Sequence, residues 1–135
     1  MPFYKFPEME WKRSTAKFPT APIGAKSKSV PGELMKVAVV RYEAGEGPNA
    51  HFHPNEEQFQ YQLEGKMKIV LGDEERVVQP GDLTHIPRNV RHGVMAVGGP
   101  SVFFTCKSPI QKGGMNDDYN LAKDNEEVWK KLRGK

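Results

Sequence analysis

The four histidines of this chain all fall between positions 51 and 92, and two of them form the pair His51-x-His53. Along an extended strand, residues i and i+2 project from the same face, so this pair sets two imidazoles side by side on one wall. Neighbouring imidazoles are a natural start for a first-row metal site. By itself His-x-His is weak evidence, because strand edges carry it by chance. His85, in the stretch GDLTHIPRNVRH, reads as a partly buried histidine with a backbone partner.

The elements that must carry these side chains are strands. The β-branched segment MKVAVVRY at 35–42 is the first strong one, and the turn-forming EAGEGPN follows at 43–49. Strands are then expected at 51–53, 58–63, 66–71, 75–78, 83–86, 93–97 and 101–107. Gly65, Gly72, Pro80-Gly81, Pro87 and Gly98-Gly99-Pro100 punctuate the gaps. Strands recurring about every ten residues suit a sandwich or barrel. Residues 1–34 are rich in Pro, Lys and Ser and read as an irregular arm with room for edge strands. The pattern predicts a helix from about Asn116 to Leu132, capped by Asn116 or Asp117, with Trp129 anchoring it to the barrel or to a partner subunit. The division is an arm at 1–34, a barrel core at 35–107 and a helical tail at 108–135, all in one domain.

Composition narrows the function classes. At 135 residues and 37% apolar content, the chain suffices for one core. The net charge of +3 is scattered, densest in the final KKLRGK, and forms no basic stripe interleaved with aromatics, which argues against nucleic-acid binding. No apolar run reaches the ~18 residues of a membrane-spanning helix. MPFYKFPEMEWKRS lacks the apolar stretch of a signal peptide. The single cysteine, Cys106, allows no internal disulfide, reads as an inert core thiol, and fits a cytoplasmic protein.

Two longer patterns carry a family resemblance. Gly45-x5-His51-x-His53-x4-Gln58-x6-Gly65 resembles the first motif of the cupins, and Gly81-x5-Pro87-x-Asn89-x2-His92 resembles the second. The order and separation of the two also match. The resemblance implies an all-β fold, the double-stranded β-helix or jelly-roll barrel, here with an irregular N-terminal arm and a C-terminal helix. It implies one divalent metal held by His51, His53, His92 and a fourth residue at the place of Gln58. Asn89 replaces the usual glycine and tolerates a left-handed backbone, so the turn should survive. Ala96 stands where an asparagine often closes the second motif.

The fourth ligand is the departure. Family members place glutamate where this chain has Gln58, with Glu57 just before it. If Gln58 faces the metal, Gln60 and Gln62 line the interior, while Phe59, Tyr61 and Leu63 point outward. If Glu57 does, the faces exchange, because a one-residue slip reverses every side chain. The family spacing favours Gln58; ordinary polar–apolar alternation, or a bulge, favours Glu57. A glutamine ligand is neutral and leaves the ion its full charge, which disfavours the ferric state and attracts anions.

Function is open at this stage. A Gln at this place is similar to small cupins acting on unsaturated uronates, while NEEQFQYQLEGKM resembles a stretch of 3-hydroxyanthranilate dioxygenases. The leading expectation is a dioxygenase-type enzyme with Fe(II), Mn, Ni and Zn being the other candidate ions, acting on a small polar or phenolic metabolite. A non-redox isomerase, cyclase or lyase using the metal as a Lewis acid is the alternative, and a non-catalytic small-molecule binder is a third reading. Gln60, Gln62, Arg41 and Tyr42 are the candidate substrate contacts, with Arg88 and Arg91 solvated at the barrel mouth. The outward Phe59-Tyr61-Leu63 stripe needs a cover, which suggests a homodimer.

Overall fold

A computed structural model describes residues 2–13, 26–110 and 118–134. After a short 3-10 turn at Phe6–Glu8 come β1 (Lys12–Arg13), β2 (Lys26–Pro31), β3 (Lys36–Tyr42), β4 (His51–Phe52), β5 (Glu57–Leu71), β6 (Glu74–Val78), β7 (Leu83–Ile86), β8 (His92–Ser108) and β9 (Asn120–Leu121). One helix, α1 (Asn125–Leu132), closes the chain. Every strand pairing is antiparallel, and the strands curl into a jelly-roll barrel, the all-β class expected.

Two strands organise the barrel. The expected pairs 58–63/66–71 and 93–97/101–107 are each one long strand, β5 and β8, and each changes neighbours halfway. The first half of β5 lies between β7 and the second half of β8; its second half lies between β6 and the first half of β8. The exchange happens at register shifts between Gln62 and Lys66. Gly65 makes it possible: its φ is 69°, and a Cβ there would run into the carbonyl of Pro100 on the bent part of β8. Gln62 secures the bend by donating Nε2–H bonds to the Glu64 carbonyl (2.8 Å) and the Ser101 hydroxyl (2.7 Å).

Alternation then sorts the side chains. On β3 the inward residues are Lys36, Ala38, Val40 and Tyr42. Of these, Ala38, Val40 and Tyr42 meet Met67 and Ile69 of β5, Val78 of β6, and Val94, Ala96 and Phe103 of β8 in the main apolar core. Each such side chain, fully buried, contributes about 1.5–3 kcal/mol. A second cluster seats the helix: Val128, Trp129 and Leu132 pack on Ala50, Val70 and Ala122. Trp129 therefore anchors α1 to the barrel, as its position suggested. Gly93 lies beneath Val128 and Leu132. The arm contributes the two-strand edge β1–β2, with β1 outermost.

The helix is shorter than its sequence pattern implied. Residues 116 and 117, the expected caps, lie outside the described residues, and 118–124 are not helical. Asp118 is held by the 55–56 backbone, and Asn120–Leu121 pair with His51–Phe52, so tertiary bonds override local propensity. Two further expectations change. Cys106 is half-buried on the outward face, its Sγ 3.5 Å from Met35 Sδ, because Phe103, Thr105 and Lys107 take the inward positions of β8. Arg91 is not solvated: its guanidinium bonds Asp124 (2.9 Å) and the Gly72 carbonyl (2.6 Å), fastening the helix start to the β5–β6 turn.

Candidate metal centre

The strand register brings the three motif histidines together. His51 on β4 is the direct cross-strand partner of His92 on β8, and the imidazole centroids are 4.3 Å apart. His53 follows one pleat later, 4.9 Å from His51 and 5.1 Å from His92 by ring centroids. The turn at Asn89, with φ 65°, donates its N–H to the His53 carbonyl at 3.0 Å and so ties the second motif to the first. One ligating nitrogen from each ring lies within 4.8 Å of the others.

Each ring is oriented by the same device. Nδ1 of His51 sits 2.7 Å from the Asn49 carbonyl, that of His53 3.1 Å from the Asp118 carbonyl, and that of His92 3.0 Å from the Val90 carbonyl. A carbonyl only accepts, so each Nδ1 carries the proton and each Nε2 presents a lone pair. Nε2 of His53 is buried with no hydrogen-bond partner among the described residues. With a nitrogen of His51 and of His92 close beside it, the set fits a divalent cation. Burial holds His51 well below the usual imidazole range, helped by the neighbouring His92 and His53. It lowers His53 to about 3, with Lys107 adding to the effect, and His92 to about 4.

The register of β5 places Gln58, Gln60 and Gln62 inward and buried, and leaves Phe59, Tyr61 and Leu63 40–43% exposed on the outer face. Gln58 stands opposite Lys107 on β8 and Ile86 on β7. Glu57 points the other way, where its carboxylate meets His85 Nε2 at 3.2 Å. His85 is thus exposed, stacked on Phe59 at 4.4 Å and paired with a side chain rather than with the backbone. Of the earlier pair of candidates on β3, Tyr42 faces inward and Arg41 outward, bonded to Glu43 at 2.9 Å. Burial pushes the Tyr42 hydroxyl up, so it stays protonated. Arg88 is exposed.

Several residues next to the histidines carried no sequence signal. Tyr119 stacks on His51 with centroids 4.2 Å apart. Behind His53 lies a buried set of charges. Lys36 Nζ is 3.1 Å from Glu56, with 3% and 0% of the two side chains exposed. Asp118 accepts from the backbone N–H groups of Asn55 (2.7 Å) and Glu56 (3.1 Å). Lys107 is buried on the wall beside Gln58, and desolvation lowers its ammonium to about 8 against the opposing pull of Glu56. His53, Glu56 and Asp118 also cluster within 4.8 Å, but Lys36 and the 55–56 backbone already engage those carboxylates. Inward charges on the β3 and β8 walls were invisible because the strand pattern gives Lys36 and Lys107 the look of solvated ends. A cavity of about 360 Å³ opens between β6 and β7, lined by Ile69, Val78, Thr84 and Leu71, the last being the register partner of His92.

Barrel, two-motif register and convergent imidazoles together define a cupin. Residues 38–106 match the Cupin domain family, and the chain belongs to it. KdgF from Halomonas sp. is 23% identical and superposes with a TM-score of 0.73, covering 85% of this chain and 99% of its own. The polyketide cyclase RemF from Streptomyces resistomycificus gives 22% and 0.67, covering 87% and 89%. A cupin sugar phosphate isomerase from Silicibacter pomeroyi gives 21% and 0.68, covering 81% and 76%. At these identities the likeness is one of fold. No curated protein matches the chain. Among the described residues, no helix is long and apolar enough to cross a membrane.

Proposed function

We propose that this cupin is a metal-dependent enzyme of the non-redox kind, an isomerase, cyclase or lyase acting on a small anionic carbonyl compound. The observation that carries the reading is the charge of the site. His51, His53 and His92 are neutral, and Gln58, the inward residue on β5, is neutral as well. The four would hold one divalent ion, and Lys36, Lys107, Glu56 and Asp118 behind them sum to zero. When bound, the ion supplies Lewis-acid polarisation of a carbonyl or enolate oxygen.

The chain's own groups suit such a ligand. Gln60 Oε1 is buried without a partner among the described residues and would accept from a ligand hydroxyl. Tyr42, kept protonated, offers an O–H donor from the facing wall. Tyr119 covers one face of His51. The cyclase and isomerase names of two fold neighbours are in keeping with this reading.

The dioxygenase reading is the second, favoured by the resemblance of NEEQFQYQLEGKM to the 3-hydroxyanthranilate dioxygenases. Metal analysis of protein purified without oxygen separates the two. Zinc, nickel or manganese with no oxygen uptake supports Lewis-acid chemistry; iron with oxygen consumption overturns it.

A further inference from the structure

Glutamine can ligate a cation through its carbonyl oxygen but not through its amide nitrogen, and the two ends have the same shape. Something must therefore fix which end of Gln58 faces the histidines. Its Nε2 lies 2.7 Å from Thr105 Oγ1, and Thr105 Oγ1 lies 3.0 Å from the Phe59 carbonyl oxygen. That carbonyl can only accept, so it takes the single hydroxyl proton. The hydroxyl oxygen is then left with lone pairs alone, and the group of Gln58 beside it must be the donor. Thr105 is itself 1% exposed and pairs directly with Gln60 and with Ala38, so two strands hold its side chain in place.

We infer that Thr105 is a positioning residue for the metal centre: the chain Gln58 Nε2–H to Thr105 Oγ1–H to Phe59 carbonyl orients the Gln58 oxygen toward the histidines. The inference rests on Gln58 being the fourth ligand. It accounts for a buried polar side chain on the inner face of β8. A hydroxyl is required there, whereas a merely space-filling role would be served equally by valine, the isostere of threonine.

The test is zinc affinity, measured by competition against a chromogenic chelator, for the wild type, Thr105→Val, Thr105→Ser and Gln58→Ala. Removing such an outer partner weakens metal binding about 10- to 100-fold. The expected result is a loss of that size in Thr105→Val and recovery to within about threefold of wild type in Thr105→Ser. In a Gln58→Ala background, Thr105→Val should have no further effect, because no amide remains to orient. In a Gln58→Glu background its effect should also nearly vanish, since either carboxylate oxygen can ligate. Wild-type affinity in Thr105→Val, beside a weakened Gln58→Ala, would overturn the positioning role alone. Wild-type affinity in Gln58→Ala would overturn the ligand assignment and the positioning role with it. Equal losses in Thr105→Val and Thr105→Ser, or an undiminished loss in the Gln58→Glu background, would mark Thr105 as packing only.

Discussion

Removing Lys36 probes both the stability of the barrel and the charge of its site. Lys36→Met leaves the Glu56 carboxylate, whose side chain is fully enclosed, without the ammonium 3.1 Å away. Breaking a buried pair from one side costs about 3–5 kcal/mol. For a chain of this length that corresponds to a fall in Tm of roughly 10–20 °C. Burial already pushes the Glu56 carboxyl up in the intact protein, with Lys36 opposing. Without Lys36 the carboxyl can escape by taking a proton, so the deficit should be smaller at pH 5.5 than at pH 7.5. Adding Glu56→Gln removes the orphaned charge, leaves Lys107 facing Asp118, and should recover most of the loss. Metal affinity should separate the two single variants. Lys36→Met adds net negative charge behind His53, and Glu56→Gln adds net positive charge. At an effective dielectric constant of about 40, a unit charge a few ångström beyond a ligand amounts to about 2 kcal/mol toward a dipositive ion. Zinc should therefore bind roughly 10- to 100-fold tighter in Lys36→Met and weaker by a similar factor in Glu56→Gln. Thermal melts of the metal-free proteins and chelator competition read the two effects independently. A loss below about 1 kcal/mol in Lys36→Met, or affinities that move in the same direction in both variants, would refute the reasoning.

Acid should destabilise the metal-free protein through its imidazoles. His53 and His92 titrate at about 3 and about 4 when folded, against 6.5 for an ordinary imidazole. The unfolded chain therefore binds more protons below pH 6.5, so stability is whole above that pH and falls as pH drops toward 4. Between pH 6.5 and 5 each of these two imidazoles accounts for about 2 kcal/mol, read by urea titration at each pH. His92→Asn should flatten the slope by its share; a slope equal to that of the wild type would contradict the assignment. On the outer face, we propose that the Phe59-Tyr61-Leu63 stripe pairs two copies of the chain, so that Tyr61→Lys should leave zinc binding intact and lower the mass seen by light scattering to that of a monomer. An unchanged mass would remove the Phe59-Tyr61-Leu63 stripe as the pairing surface.

How far the sequence discloses this arrangement depends on the range of the contacts. The convergence of the three histidines and the inward turn of Gln58 were legible because each sits in a short motif whose spacing fixes strand, turn and face together. Asn89 shows the same economy: a left-handed residue at the expected turn bonds the very histidine of the other motif. Tyr119 and Asp118 were hidden for the opposite reason. They reach the site from a segment more than sixty residues downstream of His53, and their local pattern imitates the start of a helix. Lys36 and Lys107 were hidden because a lysine at a strand end is ordinarily solvated, and only the closure of β3 on β8 encloses both.

The register of β5 ties these layers together. Turning Gln58 inward also turns Gln60 and Gln62 inward, and sends Glu57 out to His85. The same turn puts Gln58 beside Thr105 and Lys107 rather than beside Phe104 and Cys106. A glutamate ligand in this register would cancel half the charge of the ion and need no hydroxyl to orient it. With glutamine as the proposed ligand, the ion would keep its charge and the threonine would be needed to orient the amide, while Glu56 and Asp118 offset the charges of the buried Lys36 and Lys107. The preference proposed for an anionic ligand and the role inferred for Thr105 would thus both follow from glutamine at the proposed fourth ligand position, whereas the cost of losing Lys36 follows from its own buried pairing with Glu56.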